Sequence, residues 1–396
     1  MTDRESSAAI VDSLARGDHV GLDRQRLRGA LGMTALVLGC LTPRGEVRRS
    51  RMLFVVANPV AHGARLASAV MRALPSDATI VTDHRLADPS VAAGEDFPSL
   101  AARSLIRVVT PARLREALRL RRARSALPRA GSRLYAEYLF VAQAVRFAAA
   151  RDLLAKGGVE LVLVDYDRHA YATPWVDAAI ANGTPTATLV HGMPNRANYL
   201  PVLADHVLAW GEVQRSWFHE HGVDAAIHLV GRPDVPDEPS RGAGAPRLIV
   251  SQSAEDLSDA ELTRILDRVR TAADGGLATV LRLHPSVSAD ALDQRWRRVA
   301  EAVDLTIVGR GALSDDIGAG DVVAVIESSS AMDAIAGGAR VEVLADAERV
   351  LPADLEALVR ARDSGQEVPR SALLVAGGQK AIERIAVVLR GLLPHG

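Results

Sequence analysis

The chain has 396 residues, 48% of them apolar and 24% charged, with a formal net charge of -1. That length exceeds one ordinary domain and suits two, each with its own core; the near-neutral charge supplies no global field for nucleic acid. A single cysteine, Cys40, excludes an intrachain disulfide framework and a cysteine-based zinc site.

The first fifty residues read as short helices with an early strand-like piece. The apolar run "MTALVLGCL" is far shorter than a membrane span, and "MTDRESSAAIVDSLARGDH" lacks a signal peptide's basic start. The expectation is a soluble, cytoplasmic protein. From residue 51 the pattern becomes rhythmic. "RMLFVVANP" reads as a buried strand, "AHGARLASAVMRAL" as a helix, and "ATIVTD" and "SLIRVVT" as further strands. A long helical region, 111 to 156, follows. Its first half carries Arg113, Arg115, Arg119, Arg121, Arg122, Arg124, Arg129 and Arg133 against one acid, Glu116. This is either a solvated helix face or a basic lip for an anionic acceptor or a peripheral membrane contact.

Strand "VELVLVDYD", helix "TPWVDAAIANG", strand "TPTATLVHG", strand "ADHVLAWG", helix "EVQRSWFHEHG" and strand "AAIHLVG" complete the first half. Continuous apolar strands alternating with helices mean parallel sheets covered on both faces. "GRPDVPDEPSRGAGAPR" then concentrates proline, glycine and charge, the composition of a linker. The rhythm restarts with "LIVSQS", "ATVLRLHP", "LTIVG", "VVAVIE" and "RVEVL" as strands, helices between them, and "GQKAIERIAVVLRGLL" as a last helix. The reading is α/β, with two doubly wound, Rossmann-like domains: 1–238, a linker at 239–246, and 247–396. The last helix is free to pack back on the first domain.

In doubly wound folds ligands bind outside the carboxyl ends of the strands, where helix N-termini present free N–H groups. Three such ends in the second domain carry suitable chemistry. "ESSS" places Glu327, Ser328, Ser329 and Ser330 between a buried strand and a helix of small residues, more hydroxyls than one helix cap needs. "LRLHP" places His284 at a strand end, with Pro285 stopping the strand. "LIVSQS" adds Ser251, Gln252 and Ser253. Converging on one crevice, these groups suit a nucleotide phosphate.

With "LRLHP" followed by "ESSSAMDAIAGG" across two α/β domains, the chain resembles GT-B glycosyltransferases, in which two such domains face a central cleft. More narrowly it resembles the bacterial sialyltransferase, polysialyltransferase and capsule Kdo-transferase group, and the CDP-glycerol glycerophosphotransferases of teichoic acid synthesis. The resemblance implies that His284, Pro285 and Ser328 to Ser330 face the phosphate of a CMP-sugar, that Glu327 lies near the nucleoside, and that the enzyme works in polysaccharide biosynthesis. "TATLVHGMPNRANYLPVLADHVLAWGE" looks like the acceptor-side stretch of surface-polysaccharide transferases. It brings His191, Gly192 and Asn195 forward. "RPDVP" departs from the Asn-Pro turn of many relatives.

Inverting transfer needs a general base, and the candidates are Asp165, Asp167 and His191, all at strand ends. No acidic motif of the sialyltransferases is matched in the first domain. The "DYD" pattern is common by chance, so a metal-independent site is expected; Arg168 and His169 are then acceptor contacts. His62 and Gly63 stand either in a glycine-rich acceptor loop or in an ordinary strand-to-helix turn. The expected co-substrate is a nucleotide-sugar, CMP-linked first and UDP-linked next, with a hydroxyl acceptor, no tightly bound cofactor and no nucleic acid. A homodimer is left open, as are three other readings: a CDP-glycerol-type transferase, a UDP-N-acetylglucosamine 2-epimerase-like enzyme, and a degenerate partner subunit.

Overall fold

The computed structural model describes residues 22–39, 50–57, 61–75, 78–82, 99–100, 109–122, 133–168, 172–238, 245–251, 259–283, 297, 301, 303, 305–308, 313–325, 330–344, 353–364, 366 and 368–394. In chain order the first part comprises α1 (Leu22–Gly39), β1 (Met52–Val56), α2 (Ala61–Met71), β2 (Ala78–Thr82), β3 (Ser99–Leu100), α3 (Pro111–Arg122), α4 (Arg133–Gly157), β4 (Leu161–Val164), α5 (Thr173–Asn182), β5 (Thr186–Leu189), α6 (Arg196–Tyr199), β6 (His206–Ala209), α7 (Glu212–Glu220) and β7 (Ala226–Leu229). The second comprises β8 (Arg247–Ser251), α8 (Asp259–Asp274), β9 (Ala278–Arg282), β10 (Thr306–Val308), α9 (Leu313–Asp316), β11 (Val322–Val325), α10 (Ser330–Ala336), β12 (Arg340–Val343), α11 (Ala353–Asp363), α12 (Arg370–Leu373) and α13 (Gly378–Leu392).

Among the described residues every strand pairing is parallel. The first sheet runs β3-β2-β1-β4-β5-β6-β7 and the second β10-β9-β8-β11-β12. Both orders step outward from the first strand and then reverse, the doubly wound pattern expected from the alternating elements. In β1 the two-residue period sends Met52, Phe54 and Val56 to a core shared with α2 and α13. Leu53 and Val55 face the opposite way, toward a core with α4 and α5. Both faces are therefore covered, which is why the strand reads as an unbroken apolar run. The second sheet repeats this. Leu248, Val250 and Leu281 pack on Leu262, Ile265 and Val269 of α8, and Ile249, Val323 and Val325 pack on Ala331, Met332 and Ile335 of α10.

The second of those faces extends into the first domain, since Met193, Trp210 and Val213 belong to the same cluster. The chain also returns. Arg232 pairs with Gly377 as an isolated parallel bridge, and Ile382, Ile385 and Leu389 of α13 lie in the first domain's core beside Leu66 and Val70. Close backbone approach fixes two glycines here. A Cβ on Gly231, whose φ is +86°, would stand 2.2 Å from the Ala376 carbonyl oxygen, and one on Gly211 would stand 2.5 Å from Leu373 backbone.

Three expectations change. Within 1–50 the described part is a single 18-residue helix containing most of the apolar run, not short helices with a strand-like piece. Its Leu36 is buried with Val109, Phe140, Val141 and Val145, so a helix–helix core absorbs the apolar residues. Ser99–Leu100 pairs with β2 as a strand; of the strand expected at 104–110, Val109 and Thr110 are not in a strand and 104–108 lie outside the described residues. His62 and Gly63 lie in the first turn of α2, with no loop at that position. The linker residues 239–244 and most of the helix expected at 289–303 lie outside the described residues. Among the described residues, no helix is long and apolar enough to cross a membrane.

Candidate functional site

The second sheet reverses its order between β8 and β11, and a doubly wound sheet opens its ligand crevice at that point, outside the carboxyl ends. Ser251 is the last residue of β8, and Ser330 is the first of α10, which follows β11. Both are buried, and their hydroxyl oxygens stand 2.6 Å apart. Two of the sequence-predicted donor residues thus meet across the switch point. Gln252, His284, Pro285, Glu327, Ser328 and Ser329 lie outside the described residues; the described chain stops at Leu283, whose N–H still donates to the Val308 carbonyl at 2.8 Å.

Helix α10 is stopped by its glycine pair. Gly338 adopts φ +80° and its N–H donates to the Ile335 carbonyl, while Ala339 N–H donates to Ala334. Gly337 lies against Ile317: a Cβ there would come within 2.8 Å of the isoleucine side chain.

The first sheet reverses between β1 and β4. Asp165, just past β4, accepts the Ala57 N–H at 2.8 Å, closing the gap between the two strand ends. Asp167 is equally buried. Its Oδ2 accepts the N–H groups of Leu203 at 2.7 Å and Ala204 at 3.2 Å, and its own N–H donates to the Thr188 hydroxyl. Burial holds the Asp167 carboxyl above its ordinary range, with the Leu203 and Ala204 N–H groups pulling the other way. The strand ends at Val164, so the two carboxylates do not share a strand face: each is turned to different backbone amides. Arg168 donates to the Leu200 carbonyl. His169 lies outside the described residues.

His191 stands at the carboxyl end of β5, half-buried between two tyrosines. Its ring meets Tyr166 edge-on, 4.6 Å between centroids at 61°, and Tyr199 at 5.4 Å. The Tyr199 hydroxyl accepts the His191 N–H at 3.2 Å. Burial pushes the Tyr166 phenol up to about 12, the Arg168 charge opposing and Asp167 adding to it. Tyr199 is raised further by its burial. Both therefore stay protonated at neutral pH and wall the imidazole without adding charge. On the same loop Gly192 gives its carbonyl to Gln214 Nε2 at 3.0 Å, and the Asn195 carbonyl accepts the Tyr199 N–H.

Sequence reasoning did not find the groups that join the two halves. Arg232, 4% exposed, lies 4.5 Å above the Trp210 ring. It donates to Asp234 from Nε at 2.9 Å and to Asp333 of α10 from Nη1. Burial works against the guanidinium charge, yet Asp234 and Asp333 outweigh it and leave Arg232 more firmly protonated than usual. The signal was the "RPDVP" departure itself: an arginine two residues before an aspartate in a stretch that reads as linker.

Among the described residues no group of three or more His, Cys, Asp or Glu could hold a metal ion. The described arginines of the 113–133 cluster are partly paired. Arg113 meets Asp152 at 2.7 Å, and Arg133 meets Glu137 at 3.2 Å. Arg124 and Arg129 lie outside the described residues.

No protein-family model matches the chain, and no curated protein matches it in sequence. Solved structures resemble it over most of their length. A UDP-GlcNAc 2-epimerase from Neisseria meningitidis bound to UDP-GlcNAc is 12% identical over 86% of this chain and 98% of that one, with a TM-score of 0.47. A UDP-glucosyltransferase from Polygonum tinctorium capable of glucosylating indoxyl is 11% identical over 89% and 100%, with a TM-score of 0.49. A Thermobaculum terrenum O-GlcNAc transferase is 12% identical over 99% and 70%, with a TM-score of 0.42.

Proposed function

We propose that the chain is a nucleotide-sugar-dependent, inverting glycosyltransferase. Its donor is seated at the switch point of the second sheet and its acceptor over His191 at the carboxyl edge of the first. The observation that carries this reading is the Ser251–Ser330 contact, 2.6 Å between oxygens, at the one place where a doubly wound sheet opens toward a ligand. Small hydroxyl side chains there let a phosphate approach the backbone. The sequence resemblance adds His284, Ser328 and Ser329 around that phosphate and puts CMP-linked sugars first and UDP-linked sugars next.

His191 is the base in this scheme. Asp165 and Asp167 hold backbone amides, whereas the imidazole stands at a strand end between two neutral phenols. It takes the proton from the acceptor hydroxyl as that oxygen attacks the anomeric carbon, and the donor phosphate leaves with the bonding pair. Attack opposite the leaving group inverts the configuration. The reaction needs no metal if the second-domain serines and His284 carry the leaving charge.

Thermal shift with CMP, CDP, UDP, GDP and UMP tests the donor half. A nucleotide at a hundred times its dissociation constant stabilises by about 2.7 kcal/mol, and Ser330→Ala and Ser251→Ala should weaken that response. His191→Gln should bind the same nucleotide unchanged and release it from its sugar about 100-fold to 10,000-fold more slowly. Silence from every nucleotide with the folded wild type would end the transferase reading.

A further inference from the structure

We propose that a buried polar relay, Gln214–Trp210–Arg232–Asp333, fixes α10 from the first domain, so that the loop at Gly192 and the serine pair Ser251–Ser330 move as one. Gln214 is fully buried and uses both ends of its amide. Oε1 accepts the Trp210 backbone N–H at 2.7 Å, and Nε2 donates to the Gly192 carbonyl at 3.0 Å, one residue beyond His191. Trp210, 2% exposed, carries the Arg232 guanidinium on its ring. Arg232 faces Asp234 with one edge of its fork, and its Nη1 reaches Asp333. Asp333 lies one turn into the helix whose first residue, Ser330, meets Ser251.

Gln214, Trp210 and Arg232 are buried and the Asp333 side chain is only 14% exposed, which gives the chain of contacts its stiffness. A polar atom pulled from its partner in the interior finds no solvent to replace it, so displacement of one link is resisted by the next. An arginine is required at the centre. A planar fork can lie over an indole while donating to two carboxylates, and a lysine offers a point charge in its place. Gln214 and Arg232 are buried away from the crevice and act through Gly192 and Asp333, so they are positioning residues. The relay makes occupancy of the donor crevice felt at the His191–Gly192 loop, and by linkage the reverse holds equally. This consequence for substrates rests on the proposed transferase reading; the mechanical coupling does not.

Amide hydrogen exchange and nucleotide affinity in Gln214→Met and Arg232→Lys separate the two. Gln214→Met removes both amide bonds at one site in the first domain. It should raise exchange at 192–199 and also across 330–336, and it should weaken nucleotide binding about fivefold or more, the lower range of allosteric coupling. Arg232→Lys should loosen the same two segments. Faster exchange confined to 192–199 in Gln214→Met, with α10 and nucleotide affinity unchanged, overturns the relay. If Arg232→Lys fails to fold, Gln214→Met decides alone. If the wild type binds no nucleotide the transferase reading falls, and the exchange pattern still decides the coupling.

Discussion

Asp167 is a carboxylate committed to its own fold. One oxygen accepts two backbone N–H groups, and burial raises its pKa above the ordinary value near 3.8. Between that value and the raised one, the folded chain binds more protons than the unfolded chain. The Asp167 contribution therefore makes stability rise as pH falls through the window. Asparagine keeps an accepting oxygen and removes the titration. Asp167→Asn should unfold in urea within about 1 kcal/mol of the parent at neutral pH and lack the acid-side gain. Asp167→Ala leaves two N–H groups without their acceptor, at about 1–3 kcal/mol each. Equal losses in both variants would show that the charge, and not the oxygen, holds the 203–204 loop.

Helix α1 shows at the level of an element what local pattern conceals. Gly29 and Gly32 lower its helix propensity, yet they are where it crosses α4. A Cβ on Gly29 would lie 2.8 Å from the Tyr135 backbone nitrogen, and one on Gly32 would lie 2.4 Å from the Tyr138 ring. Alanine gains about 1 kcal/mol in an open helix, but a backbone cannot step aside as a ring can. Gly29→Ala should lower the melting temperature, and Gly32→Ala should do so less; a Gly29→Ala protein melting above the parent would mean α1 sits farther out. The strands were legible for the opposite reason. A parallel strand covered on both faces is apolar throughout, and "MLFVV" is short and β-branched enough to read as one. β3 escaped because two residues make no pattern. The switch-point residues Ser251, Ser330 and Asp165 were legible because strand order follows from alternating elements. The Arg232–Asp333 pair was not, since the two stand 101 residues apart and no local spacing announces such a pair.

At the scale of the whole molecule, the chain passes between its two sheets twice, outward near Arg232 and back near Gly377, the two passages joined by a bridge. The second passage delivers α13, whose Ile382, Ile385 and Leu389 complete the core around Phe54 and Val70. Residues 1–238 expressed alone should therefore elute as an aggregated or expanded species, and co-expression with 247–396 should restore a single compact peak in size exclusion. A compact monomer from 1–238 alone would show α13 to be dispensable. The same feature orders events in time. On the ribosome, β1 through β7 emerge early, and α2 with them, but the core on that face lacks its second covering helix until residue 389 has been translated. The later-made sheet can close first, and the earlier-made one must wait for a helix that is synthesised after it.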